Sequence, residues 1–238
     1  MTHVAPAAER HLAERRFYGA AALVAALIAF VGFAPTYYLK GVFGAPALKA
    51  LVHVHGIVMT LWILLFFAQV ALVAARRVDL HRRLGVAGAA LAAIVVVVGI
   101  ATAIDGARRG VSPGPPPLVF LAIPIGVALV FGLFVGAAVL LRRRSDWHKR
   151  LMLLASIAIL TPAIARLPVE AIHAGGIVLF FALTDLLAIA CAAYDAARNK
   201  RLHPAFGWGT LGLVLAQVGM LVLAGSSFWL GIAKSLVG

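Results

Sequence analysis

The sequence predicts an all-α bundle of seven membrane-crossing helices, one domain over residues 1–238, with a cytoplasmic N-terminus and a periplasmic C-terminus. Three observations predict it. Hydrophobic residues make up 63% of the chain and charged residues 12%, with a mean hydropathy of +1.04, so lipid is the solvent for most of it. Seven apolar stretches reach the about 20 residues that a bilayer core requires. These stretches are far longer than strands and lack strand alternation.

The first stretch, 17–35, follows a basic N-terminal segment, as a cleaved leader would. Its apolar core is long for a leader and Gly32-Phe33-Ala34-Pro35 is a poor cleavage site, so it reads as a span. Tyr37 and Tyr38 then mark an outer interface. In the second stretch, 48–74, His55, Met59, Trp62, Phe66 and Gln69 recur at steps of four and three, which puts them on one inward helix face. The third, 84–104, is joined to the fourth, 117–141, by the stiff outer run Ser112-Pro113-Gly114-Pro115-Pro116-Pro117. Pro124 in the fourth and Pro162 in the fifth, 151–167, predict local kinks. The sixth, 174–195, has Asp185 near its middle, and the seventh, 208–231, carries Gln217. Abundant Ala and Gly predict close helix packing.

Orientation follows from the basic residues, which resist translocation. Fifteen of the 21 fall on one side: Arg10, Arg15, Arg16, Arg76, Arg77, Arg82, Arg83, Arg142 to Arg144, Lys149, Arg150, Arg198, Lys200 and Arg201. That side is expected to be the cytoplasmic face of a bacterial inner membrane. Because these charges border helix ends, the +13 net charge points to anionic lipid phosphates and not to nucleic acid. The single cysteine, Cys191, excludes an intrachain disulfide and a thiolate cluster.

A nine-residue phrase occurs twice, at 76–84 and 143–151, as Arg-Arg-x-Asp-x-His-basic-Arg-Leu, each time between two apolar stretches. It predicts that the second and third spans form a hairpin echoed by the fourth and fifth. Asp79 and Asp146 would cap the two following helices. His81 and His148 would lie at similar depth on neighbouring helices, as two axial ligands of a haem iron require, with Arg and Lys available to its propionates. The competing reading leaves both imidazoles among lipid phosphates at the interface.

Polar residues inside spans are functional candidates because lipid penalises them. At a rise of ~1.5 Å per residue, Arg166 should lie near the depth of His53 and His55, with Asp185 roughly 8 Å deeper. A cluster of His55, Arg166 and Asp185 is therefore expected, with Gln69 and Gln217 nearer the inner half as relay partners of Asp185. His53 and His55 are about 200° apart around a helix, so they cannot share one metal ion, and no metal centre is expected. His173 and His203 read as solvated loop residues.

The ordered set His53-Val54-His55-Gly56, Leu80-His81-Arg82-Arg83-Leu84-Gly85 and His148-Lys149-Arg150-Leu151-Met152 resembles a group of bacterial multi-span membrane proteins without an assigned activity. Histidines at helix ends on both sides of the membrane are also similar to the diheme cytochromes b, which pass electrons from ascorbate or quinol. That second resemblance implies haem b held by histidine pairs.

Several classes are excluded. A retinal protein needs a lysine within its last span, and Lys234 lies at the outer end. No Gly-rich phosphate loop and no His-Glu-x-x-His motif occurs. Three functions fit what remains. The first is a membrane electron carrier binding haem b or quinone, with His81 and His148 as inner ligands, His53, His55 and Arg166 as further cofactor-binding residues, and His55, Arg166 and Asp185 managing protons or a quinone head group. The second is a proton-coupled transporter using Asp185. The third is an accessory subunit serving other membrane subunits.

Overall fold

The computed structural model describes residues 7–238. The side chains of Ala7, Ala8 and Arg10 lie outside the described set, and with them the Arg10 part of the expected inner charge. Every regular element among the described residues is helical. Helix α1, Ala7–Phe33, runs into a single π-turn at Ala34–Tyr38, where Pro35 lacks the N–H that a tighter ladder would use. Helices α2, Ala50–Ala74, and α3, Val78–Arg108, form a hairpin whose short turn takes Arg76 to a left-handed φ of 60°.

Both prolines break their helices as the sequence predicts. Pro124 cannot donate to the Phe120 carbonyl, and the fourth stretch divides into α4, Pro117–Phe120, and α5, Ala122–Leu140. Pro162 likewise divides the fifth into α6, Ser145–Ala158, and α7, Thr161–Ile164. The Ala158 carbonyl freed at that break accepts from Thr161 Oγ1 at 3.3 Å, and Thr161 Oγ1 also lies 2.9 Å from Thr184 Oγ1. Helix α8, Glu170–Asn199, is interrupted at Gly176, whose φ of 58° and ψ of −157° belong to no helix.

Two expectations need correction. The last stretch is not one helix over 208–231. Helix α9, Pro204–Ala224, stops, and Ser226 Oγ accepts from Trp229 N–H at 3.1 Å to start α10, Ser227–Val237. Helix α10 lies against α3 and α4. Trp229 Nε1 donates to the Leu118 carbonyl at 2.8 Å, and Arg108 donates to the carbonyls of Leu236 and Val237. Nor do Asp79 and Asp146 cap their helices. The caps are Arg77 and Arg144, without side-chain bonds, and each Asp sits inside the first turn, where its charge favours the helix dipole.

Among the described residues six helices are long and apolar enough to cross a membrane: His11–Tyr38, Ala50–Ala74, Val78–Arg108, Pro117–Leu140, Glu170–Asn199 and Pro204–Ala224. The chain is a multi-span membrane protein. Neighbour contacts run α1, α2, α3, α5, α9, α8, and the α6–α7 segment touches α1, α5, α8 and α9. Leu153 to Ala158 are all buried, Leu154 and Ala155 completely, which makes α6 the central helix. The bundle is apolar outward as well: Leu133, Val97 and Val222 are exposed, as a lipid-facing surface requires.

Close approach at the centre depends on small residues. A Cβ on Gly32 would lie 2.2 Å from the Ala163 carbonyl oxygen, so only glycine lets α1 meet α7. The predicted inward face of α2 is observed, with Trp62 and Phe66 buried and His55, Met59 and Gln69 half-buried. Trp62 meets Phe131 of α5 edge-on, with centroids 4.7 Å apart.

Candidate functional site

The loops carrying the repeated phrase meet at the basic end of the bundle. Helices α3 and α6 begin on equivalent residues, Val78 and Ser145, so each histidine is the fourth residue of its helix. The same backbone bond forms in both, from His81 N to Arg77 O and from His148 N to Arg144 O, each at 3.0 Å. The two imidazole centroids lie 6.3 Å apart with ring planes at 83°.

Backbone geometry orients one of these rings. His148 Nδ1 lies 2.8 Å from the Ala138 carbonyl, which can only accept, so Nδ1 carries the proton and Nε2 of the neutral ring keeps its lone pair. Donation of the second ring nitrogen to a carbonyl is how proteins fix a ligating histidine. His81 Nδ1 is buried without a hydrogen-bond partner, and so is Gln69 Oε1. Gln69 projects from α2 to within 3.6 Å of where a Gly85 Cβ would stand. It therefore belongs beside α3 and the histidines, not with Asp185. Arginines 76, 77, 82, 83 and 142–144, which flank the two histidines in the chain, are exposed.

A metal bound at about 2.0 Å through one nitrogen of each ring separates the two centroids by roughly 6 Å when the rings lie on opposite sides. The observed spacing satisfies that condition. Among the described residues no group of three or more His, Cys, Asp or Glu converges on one point.

Sequence reasoning missed the most strongly built polar contact. Arg150 of α6 and Asp195 of α8 form a buried bidentate ion pair, with Nη2 to Oδ1 at 2.6 Å and Nε to Oδ2 at 3.1 Å. Arg150 Nη1 also donates to the Asp146 carbonyl at 2.8 Å, and its guanidinium stands 5.9 Å from the Phe206 ring. Lys149 pairs with Glu14 of α1, and its ammonium lies 5.9 Å from the Tyr18 ring. His203 is no free loop residue: Nδ1 accepts from Ala205 N, so Nε2 carries the proton and donates to Asp146 Oδ2 at 3.0 Å. That bond holds the Asp146 carboxyl below the usual range. Opposite charges placed at the same end of two apolar stretches were the available signal.

At the opposite end the expected cluster forms only in part. Arg166 is close enough to His55 for its charge to act on the imidazole, whose Nδ1 is buried without a partner. The guanidinium donates to the Pro162 carbonyl at 2.8 Å and lies 5.1 Å from the Phe33 ring, so it forms no ion pair with Asp185. Asp185 instead faces Gln217 of α9, with Oδ1 buried and unpartnered. His53 is exposed while His55 is half-buried, as their angular separation predicts. The His53 carbonyl accepts from Tyr37 Oη at 3.2 Å, and Tyr38 Oη lies 2.9 Å from Thr60 Oγ1. His173 is exposed in the first turn of α8.

Compared with known proteins, the chain matches no family model, no curated protein and no solved structure.

Proposed function

We propose that this chain is a seven-crossing bacterial inner-membrane protein that carries electrons through a b-type haem ligated by His81 and His148 at the cytoplasmic face. The observation that carries the reading is the histidine pair: a spacing that suits ligation from opposite sides, with one ring held by the Ala138 carbonyl so that its free nitrogen is available. The neighbouring arginines supply the cations that haem propionates or a quinol donor would need.

The seventh crossing is the broken segment α6–α7. Lys149 meets Glu14 near the start of α1, and Ala163 meets Gly32 near its end, so the segment runs parallel to α1 over most of its height. Seven crossings put the N-terminus on the basic, cytoplasmic side and the C-terminus outside. The matched starts of α3 and α6 support two related hairpins, α2–α3 and α5–α6.

The test is a dithionite-reduced minus oxidised visible spectrum of the detergent-purified protein after haem-replete expression. An α-band of b-type haem, lost in both His81→Ala and His148→Ala, is the expected result. A colourless wild-type protein overturns the haem reading. A stoichiometric quinone extracted from that colourless protein would keep electron transfer and replace the cofactor.

A further inference from the structure

The basic end of the bundle carries an open groove between α8 and α9 that neither the histidine pair nor the central ion pairs use. Ala192 and Phe206 form its buried floor, and Ile189, Leu202 and Leu211 stand half-exposed along its sides. Ala193 on α8 and Gly207 on α9 also line it, and these small residues leave a volume of about 310 Å³. That is the small end of the ~300–1,000 Å³ range of ligand pockets, room for one hydrocarbon chain. Helices α8 and α9 are neighbours around the central helix, so the groove opens to lipid. Its lining is apolar with one exception: Thr210 Oγ1 is buried there without a hydrogen-bond partner. A hydroxyl left so is costly unless something supplies its partner.

The groove starts at the turn 200–203, and that turn is basic. Leu202 belongs to both. A Cβ on Gly207 would lie 3.3 Å from Leu202 Cδ2, so the leucine is folded onto the α9 backbone. Lys200 and Arg201, the two residues before it, and Arg198 in the last turn of α8 are exposed. None of the three joins an ion pair among the described residues. Asp195 of α8 is taken by Arg150, and Asp146 by His203, so neither carboxylate offsets them.

Two exposed aromatic residues mark the depth. Tyr194 follows Ala193 on α8 and Trp208 follows Gly207 on α9, a placement that suits rings at a membrane–water boundary. Thr210 lies further along α9, about 9 Å inward from Pro204 at its start. The headgroup layer of a bilayer is about 5–8 Å deep on each side, so this hydroxyl meets a lipid where its ester carbonyls give way to its chains.

We propose that the α8–α9 groove binds one anionic phospholipid of the leaflet at the basic end. A chain lies in the groove, an ester carbonyl accepts from Thr210 Oγ1, and the phosphate sits on the turn that carries Lys200 and Arg201. The net negative charge of the headgroup sets the selectivity, because a zwitterionic lipid brings a cation of its own to the same turn. The site stands whether or not the histidine pair holds a redox group.

The test is native mass spectrometry of the full chain in detergent, titrated with phosphatidylglycerol or phosphatidylcholine. Wild type should retain one phosphatidylglycerol in preference to phosphatidylcholine. Lys200→Ala with Arg201→Ala should weaken that binding ~30-fold, the product of two cationic contacts. Arg15→Ala with Arg16→Ala, two basic residues at the same end on α1, should leave it unchanged. Ala193→Phe, which fills the groove from an exposed position, should abolish binding, and Thr210→Val should weaken it about fivefold. Equal retention of the two lipids, or wild-type retention in Ala193→Phe, overturns the site. Full displacement by glycerol phosphate would leave an anion site without a chain and overturn the groove's part in it. A lipid-free dimer that Ala193→Phe splits would give the groove to a second copy of the chain and overturn the proposal as well. Because Lys200 and Arg201 are exposed, their double variant keeps the test decisive even if Ala193→Phe fails to fold.

Discussion

One phrase, written twice, ends in two different environments. In the first copy Asp79, Arg82 and Arg83 are exposed and join no ion pair among the described residues. In the second copy every counterpart is engaged: Asp146 with His203, Lys149 with Glu14, Arg150 with Asp195. The backbone bond that starts each helix is the same in both, although Arg76 takes a left-handed φ and its counterpart Arg143 does not. What differs is position, because α3 lies in the outer ring and α6 in the centre. A helix surrounded by others must satisfy its charges with protein, whereas a peripheral one can leave them to water and lipid phosphate. The histidines bridge the two copies.

The sharpest way to break this contrast is to truncate the equivalent arginines. Arg150→Ala strands Asp195 as a buried, uncompensated charge and is expected to cost about 3–5 kcal/mol. Arg83→Ala removes an exposed side chain without an ion partner and should stay within about 0.5 kcal/mol. Thermal unfolding of the two purified variants decides between them. Equal midpoints would mean that the central position of α6 confers nothing on its charges.

A double replacement sharpens the point. Arg150→Met with Asp195→Leu removes both charges at similar volume, and well-packed apolar replacements of a buried pair are often neutral or stabilising by about 1–4 kcal/mol. The double variant should therefore recover most of the loss seen in Arg150→Ala, read as a return of the unfolding midpoint. A midpoint no higher than that of Arg150→Ala would show that the pair is needed for itself, and not only because one half cannot stand alone.

The same contrast explains what the sequence could reveal. The long helices were legible because apolar length is a local property, and so were the breaks at Pro124 and Pro162, where a missing N–H acts on its own turn. The histidine pair was legible because a repeat places equivalent residues at equivalent depth. Arg150 and Asp195 were not, because they are 45 residues apart and each sits at the end of its own stretch, where a charge reads as interfacial. Helix rotation was also beyond reach. Arg166 and Asp185 were expected to meet, but the break at Pro162 turns Arg166 toward Phe33. The split between α9 and α10 was hidden because Ser226 interrupts an otherwise apolar run, and its capping role depends on backbone geometry.

A smaller effect separates the lysine of the second copy from its arginine. Lys149 and Glu14 are about one-third exposed, 32% and 38% by side chain, against 6% and 7% for Arg150 and Asp195. Exposed pairs are screened by water and contribute about 0–1 kcal/mol. Lys149→Ala should therefore shift the unfolding midpoint far less than Arg150→Ala, though the two residues are adjacent. A comparable loss would extend the central, protein-satisfied zone out to α1.

The smallest expected difference lies between the two aspartates, and pH exposes it. The hydrogen bond from His203 holds the Asp146 carboxyl below its usual range, so the folded state binds that proton less readily than the unfolded chain. Its contribution is therefore fully present above the ordinary aspartate value of about 3.9 and is lost as pH falls through the lowered folded value. Asp146→Asn removes this titration and should flatten the acid limb of the stability profile. Asp79→Asn, which breaks no ion pair, should leave that limb as in wild type. Because Asp146 is 51% exposed, solvent screening keeps the difference small, and a matched pair of unfolding series from pH 3 to 7 in about half-unit steps is needed to resolve it. If both variants flatten the acid limb alike, the acid sensitivity belongs to the phrase itself, and the bond from α9 is not what sets the two copies apart.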